Sequence, residues 1–230
     1  MKENRRFLIV ANWKANDPKF EIFNFKFENQ IVEVAIAPPY PLITAIPESF
    51  TRAAQDVSAR EVGAYTGEVP AKLLAGLGVK YCLVGHSERR GYFGETNAQV
   101  EMKMNQAIQN GITPILCAQT MEEIPENIRN LSGDKYMIMY EPFSAISTEG
   151  QYHPENVERI VETITEWKNR LNLNCRFLYG GSVNPDYVER LLTTDYRLLS
   201  GLVVGHASLE AESFIAIIKQ CLQNLPSNSD

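Results

Sequence analysis

Two residues of this chain stand where a proton could be moved. His86 directly follows an apolar run in VGHSERR, from Val84 to Arg90, and Glu141 holds the same relation to another run in YEPFSAIST, from Tyr140 to Thr148. Taking a proton from beside a carbonyl needs a carboxylate as acceptor and a neutral donor to stabilise the enediolate oxygen. A His and a Glu at the ends of two parallel strands can face one substrate from two sides. ANWKAN, from Ala11 to Asn16, adds Asn12 and Lys14 just past the first apolar run. A buried-side ammonium there is costly unless it meets an anion. Taken singly, each has a plainer reading: a satisfied core histidine, a helix-entry acid, a solvated loop pair. Ser87 is placed to cap the turn after His86.

LYGGSVNP, from Leu178 to Pro185, and LVVGHASL, from Leu202 to Leu209, end apolar runs in small residues that lead into helical patterns. Backbone N–H groups at such turns bind phosphate without a cationic side chain. One Gly-Gly-Ser turn is most often only a turn. Two such turns carry more weight here, because they follow the seventh and eighth strands by count, where barrels commonly hold phosphate.

The elements that must position these groups alternate. Apolar runs recur as FLIVA near Phe7, VEVAIA from Val32, YCLVG from Tyr81, PILC from Pro114, YMIMY from Tyr136, RFLYG from Arg176 and GLVVG from Gly201. TRAAQDV, from Thr51 to Val57, is a weak eighth strand signal. Between these runs lie amphipathic segments starting at Asn97, Pro154, Pro185 and Leu209, the two prolines sitting at expected helix starts. Such alternation argues for a parallel sheet buried on both faces, although periodicity alone leaves a doubly wound open sheet beside a barrel. TMEEIPENIRNL, from Thr120 to Leu131, supplies at most one modest helix. With no internal repeat, low-complexity linker or composition shift, residues 1–230 read as a single domain whose polar tail after Leu225 frays.

A chain of 230 residues with 44% hydrophobic residues can bury a substantial core. Its net charge of −6, without a long basic run, argues against nucleic acid as a partner but leaves room for a local anion site. The apolar stretch from Phe7 to Ala11 is too short for a secretory signal, and no segment approaches the roughly 20 apolar residues that span a membrane. Cys82, Cys117, Cys175 and Cys221 are scattered and form no CxxC pair, as expected of reduced, core-filling cysteines in a cytosolic protein. His153 has no metal-ligand spacing to another His or Cys, and neither a metal nor another cofactor is expected.

ANWKAN, AYTGE (Ala64 to Glu68), VGHSERR, YEPFSAI, YGGSV and VGHASL occur in order along the chain, and in that order they resemble the motifs of the triosephosphate isomerase family. The resemblance implies a (β/α)8 TIM barrel, eight parallel strands ringed by helices. It implies an aldose-ketose isomerase of glycolysis and gluconeogenesis, cytoplasmic and free of cofactors, that interconverts dihydroxyacetone phosphate and glyceraldehyde 3-phosphate through an enediolate. Carried over residue by residue, it makes Glu141 the base, His86 the electrophile, Asn12 and Lys14 the substrate-binding and electrostatic residues, and Glu88 an acid beside Lys14. It also implies a phosphate cradle from backbone around Ser147, Ser182, Gly205 and His206, and a homodimer in which Thr66 reaches the neighbouring subunit's site. Ile146 and Val203 are placed to cover Glu141, where desolvation raises a carboxylate's basicity. Arg89 is expected to pair with Glu68, while Arg90, Glu95 and the Glu122–Glu123 pair are solvated or stand behind the site.

The chain departs from the family pattern in its lid and phosphate site. Phe143-Ser144 stands where the family has an aliphatic residue and Trp, and Ser147-Thr148-Glu149 replaces a Gly-Thr-Gly tip. His206 replaces the second Gly of a Gly-Gly pair. These changes motivate two alternatives: an isomerase of another small phosphosugar, and a catalytically silent barrel that binds a phosphorylated ligand. Retention of Asn12, Lys14, His86 and Glu141 together opposes the second, since a phosphate sensor needs no proton-transfer pair.

Overall fold

The apolar runs form eight strands: β1 (Phe7–Asn12), β2 (Val32–Ala37), β3 (Thr51–Ala54), β4 (Val79–Val84), β5 (Thr113–Ala118), β6 (Met137–Tyr140), β7 (Arg176–Tyr179) and β8 (Gly201–Val204). The computed structural model describes residues 6–18, 20–26, 31–131, 133–145, 153–195 and 198–226. Every strand pairs in parallel with its neighbour in sequence, and β8 returns to β1 with Leu8 opposite Gly201 and Ala11 opposite Val204. The sheet is therefore a closed barrel, and the open-sheet alternative falls.

Alternation along the strands separates two cores. Leu8, Val10, Ala35, Leu83, Ile115, Met139, Leu178 and Val203 belong to the cluster that fills the barrel. Their strand neighbours Ile9, Ile36, Val84, Leu116, Ile138 and Tyr179 belong to the cluster between sheet and helices. Burial on both faces accounts for the near-continuous apolar runs.

Among the described residues six helices lie outside: α1 (Ala71–Gly76), α2 (Ser87–Phe93), α3 (Asn97–Gln109), α4 (Val157–Arg170), α5 (Pro185–Asp195) and α6 (Ala211–Asn224). Thr96 and Gln99 close a capping box at the start of α3, and the Asn156 side chain accepts the Arg159 N–H at the start of α4. Pro185 opens α5 as expected, but Pro154 lies ahead of the Asn156 cap and outside α4. Among the described residues, the connections after β1, β2 and β5 carry only 3-10 turns, at Phe20–Asn24, Tyr40–Ala45, Met121–Glu123 and Glu126–Asn130. The segment after Thr120 thus forms two short turns in place of one helix. The weak eighth strand signal corresponds to β3, which ends at Ala54 and shifts register against β4 between Arg52 and Ala53. No helix among the described residues is long and apolar enough to cross a membrane.

Candidate active site

The strand alternation that fills the barrel also aims the site. Val10 of β1, Met139 of β6, Leu178 of β7 and Val203 of β8 face the interior, so the next residues in phase, Asn12, Glu141, Gly180 and Gly205, come to the C-terminal mouth. All four line one cleft of about 460 Å³, open to solvent, together with Lys14, His86, Ser182, Val203 and His206. His86 enters by a different route, since alternation in β4 would place Gly85 at the mouth. Gly85 has φ +73, which breaks the alternation and turns His86 into the cleft. The Arg90 guanidinium holds that turn by donating from Nε to the Gly85 carbonyl at 2.8 Å.

His86 is itself the N-cap of α2: its Nδ1 accepts the Glu88 backbone N–H at 3.3 Å. That bond leaves the ring proton on Nε2, which lies 3.2 Å from Glu141 Oε1. Ser87, expected to be the cap, is the first residue of the helix. Its hydroxyl donates to Glu141 Oε1 at 2.8 Å and its backbone N–H to Oε2 at 3.3 Å. Glu141 is 5% exposed, with its own N–H donated to the Ala118 carbonyl at 3.0 Å. The carboxylate thus has three donors and little water, a setting in which each contact is stronger than in solution.

Lys14 has φ +52, an uncommon conformation for a residue with a Cβ. Two groups hold it there. Asn12 Oδ1 accepts the Lys14 N–H at 3.2 Å, and Gln55 Nε2 donates to the Lys14 carbonyl at 2.7 Å and to the Ala37 carbonyl at 2.9 Å. Gln55 was not singled out from sequence, where it is one of two adjacent polar residues just past the weakest strand. The Lys14 ammonium donates to Glu88 Oε1 at 2.6 Å. Its stem passes Gly205, where an added Cβ would lie 3.5 Å from Lys14 Cε. Lys14 therefore bridges the acid of α2 and the turn after β8.

On the other side of the cleft, Gly180 and Gly181 let the chain approach its neighbours. A Cβ at Gly180 would fall 2.2 Å from Met139 Sδ, and one at Gly181 would fall 2.2 Å from Tyr179 Oη. The Ser182 hydroxyl is committed to protein, donating to the Ala145 carbonyl at 2.9 Å and accepting the His153 N–H at 3.0 Å. Any contact of Ser182 with an anion falls to its backbone. His206 is exposed at the start of a 3-10 turn, His206–Ser208, and lines the cleft. Ile146 and Ser147, with Thr148 and Glu149, lie outside the described residues.

Other sequence expectations resolve away from the cleft. Thr66 is exposed on the loop before α1 and does not line this chain's own cleft. Arg89 pairs with Asp56 at 2.8 Å and Glu95 at 3.3 Å, and not with Glu68, which accepts from the Ser58 hydroxyl. Glu95 is buried, not solvated, and bonds to the equally buried Lys103. Glu123 caps the turn after β5 by accepting the Gln119 N–H at 2.6 Å. Burial pushes the Cys82 and Cys117 thiols well above their ordinary value, which makes them neutral core residues.

The sequence profile of the triosephosphate isomerase family matches residues 7–221. A triosephosphate isomerase of Thermus thermophilus is 36% identical, covering 94% of this chain and 98% of the relative. One of Mesomycoplasma hyorhinis is 35% identical over 92% of this chain and 97% of the relative, and one of Coxiella burnetii 35% identical over 96% and 99%. With a closed parallel barrel, a His–Glu pair and a lysine at its mouth, and similarity over nearly its whole length, the chain belongs to the triosephosphate isomerase family.

Proposed function

We propose that Glu141, His86 and Lys14 carry the interconversion of dihydroxyacetone phosphate and glyceraldehyde 3-phosphate in this chain. Glu141 takes a proton from C1 of the ketose while the His86 Nε2–H donates to the enediolate oxygen and the Lys14 ammonium offsets the developing charge. The hydroxyl proton moves from O1 to O2, Glu141 returns its proton to C2, and the aldose leaves with no net proton exchanged. Asn12 orients Lys14 and the substrate. The backbone around Ser182, Gly205 and His206 holds the phosphate, with Ser147 completing the cradle. Glu88 holds Lys14, and Val203 and Ile146 shield the base. The carrying observation is the 3.2 Å approach of His86 Nε2 to Glu141 Oε1, with the ring tautomer set by the Glu88 N–H.

The chain works as a single barrel domain in the cytoplasm and as a homodimer in which Thr66 completes the partner's site. The exposed loop that carries Thr66, with Val62 and Tyr65 also exposed, supports the dimer. A coupled assay with glyceraldehyde 3-phosphate tests the reaction, and a panel of other phosphosugars separates it from an isomerase of different substrate choice. A silent barrel would bind without turnover. Glu141→Gln is expected to lose at least about a hundredfold in kcat, the low end for a general base, with an unchanged circular dichroism spectrum. A folded variant of near-parent activity would overturn the assignment.

A further inference from the structure

The turn that follows the base has few apolar anchors. Of its residues Phe143–Ala145 only Ala145 is buried, and Phe143 is 82% exposed. Ser144 stands where the family has a large Trp, so the turn lacks that side chain's packing as well. What the turn has are hydrogen bonds: Ala145 N–H to the Pro142 carbonyl at 2.9 Å, the Ser182 hydroxyl to the Ala145 carbonyl at 2.9 Å, and the Ser144 hydroxyl to Glu155 Oε2 at 2.8 Å.

Glu155 is unusually well held for a residue outside a helix. Its N–H donates to Tyr179 Oη at 3.4 Å, and Tyr187 Oη donates to its carbonyl. The two rings lie 6.0 Å apart between centroids, so Tyr179 and Tyr187 hold the Glu155 main chain from its N–H and its carbonyl. Burial pushes the Tyr187 hydroxyl up to about 12 and that of Tyr179 higher, which keeps both protonated. The space for Tyr179 Oη exists because residue 181 is Gly. At the side chain, Glu155 is 10% exposed, and Oε1 accepts the Asn156 N–H at 3.0 Å at the start of α4. A carboxylate there is favoured by the helix N-terminus, and among the described residues its one ion pair is with Arg159, 3.8 Å away and largely solvated.

We propose that Glu155 is a positioning residue for the base: fixed by Tyr179 and Tyr187, it holds Ser144 and so sets the turn that directly follows Glu141. The proposal rests on the functional reading above. A turn tied to β7 and α5 in this way keeps the Glu141 main chain in register with His86 across the barrel mouth.

The test compares Ser144→Ala and Glu155→Ala with the conservative Ser144→Thr and Glu155→Gln, each of which keeps a hydrogen-bonding group. Each Ala variant is expected to lose about tenfold in kcat with KM within about twofold, since a small misplacement of a reacting group costs rate more than binding. The double Ala variant should lose no more than either single one, because both break the same bond. The Thr and Gln variants should recover most of the loss. Ser144→Ala removes one exposed hydroxyl and should melt with the parent, while the Ala145 amide exchanges faster in both Ala variants. Parent kcat in Ser144→Ala, losses that multiply in the double variant, or unchanged Ala145 exchange would each overturn the proposal. If the parent turned over no triose phosphate the functional reading would fall, while Ala145 exchange would still decide whether Glu155 holds the turn.

Discussion

His86 serves the backbone and the reaction with one ring. Its Nδ1 caps α2, and because that nitrogen accepts, the other carries the proton that faces Glu141. Glu88, which donates the capping N–H, also receives the Lys14 ammonium through its carboxylate. The residue types of this arrangement are legible in sequence because each follows an apolar run. Its bonds are less so: Ser87 reaches Glu141 across 54 residues and Gln55 reaches Lys14 across 41, and no local pattern encodes such pairs. His206 shows the same limit. Its position after β8 is legible, whereas its ring's relation to a bound phosphate is not. The ring is expected to turn outward while the backbone N–H donates, so His206→Gly should change the affinity of a phosphate-bearing inhibitor by less than about 1 kcal/mol, the scale of one neutral hydrogen bond. A ring that donated to the phosphate as a charged group would cost roughly 1.5 to 3 kcal/mol when removed. Inhibitor affinity measured for both proteins decides between them, and a loss in that larger range would refute the outward ring.

At the scale of elements, seven strands announced themselves because burial on both faces demands apolar runs. β3 did not, since its alanines are small, its side toward β2 pairs only Thr51 and Arg52, and the Arg52 guanidinium spends its donors on the Ile46 and Leu77 carbonyls. The 3-10 turns after β1, β2 and β5 were likewise hard to read, because three to six residues are too few for a helical period to show. Gly85 joins this scale to the site. A side chain there would have to adopt φ +73 with its Cβ 2.9 Å from both Val100 Cγ2 and Arg90 Nη2. Gly85→Ala is expected to destabilise the protein by at least about 1 to 2 kcal/mol, the cost of the left-handed conformation alone. Because α2 starts at this turn, kcat should fall as well under conditions where the variant is fully folded. Urea unfolding together with the coupled assay checks both effects, and a variant equal to the parent in each would show that His86 is positioned by something other than this turn.

For the molecule as a whole, the loop from Gln55 to Pro70 is the feature a lone barrel does not explain. Val62 and Tyr65 are exposed on it, Tyr92 and Phe93 are exposed at the end of α2, and a homodimer of about twice the 26.0 kDa chain mass is the expected species in sedimentation. A strictly monomeric, fully active protein would rule that assembly out. The loop is rooted in buried charge. Lys103 of α3 bonds both oxygens of Asp56, at 2.8 and 2.7 Å, and also Glu95, while Arg89 of α2 reaches the same two acids. Two acids and two bases balance, but removing one partner leaves charge buried without compensation. Lys103→Met is therefore expected to cost about 3 to 5 kcal/mol at neutral pH, the range for breaking a buried ion pair. Its pH dependence carries a definite sign. Burial raises the Asp56 carboxyl above its ordinary value, with Lys103 the chief opposing influence, so removing the ammonium raises it further. The folded variant then takes up a proton at Asp56 before the unfolded chain does. That uptake stabilises the variant fully below the ordinary carboxylate range and is lost as pH rises through the raised folded value. The deficit of Lys103→Met relative to the parent should accordingly be largest at neutral pH and shrink as pH falls toward that range. Denaturant unfolding of both proteins across the interval measures it, and a deficit independent of pH would mean that lost packing, not unpaired charge, is what the substitution costs.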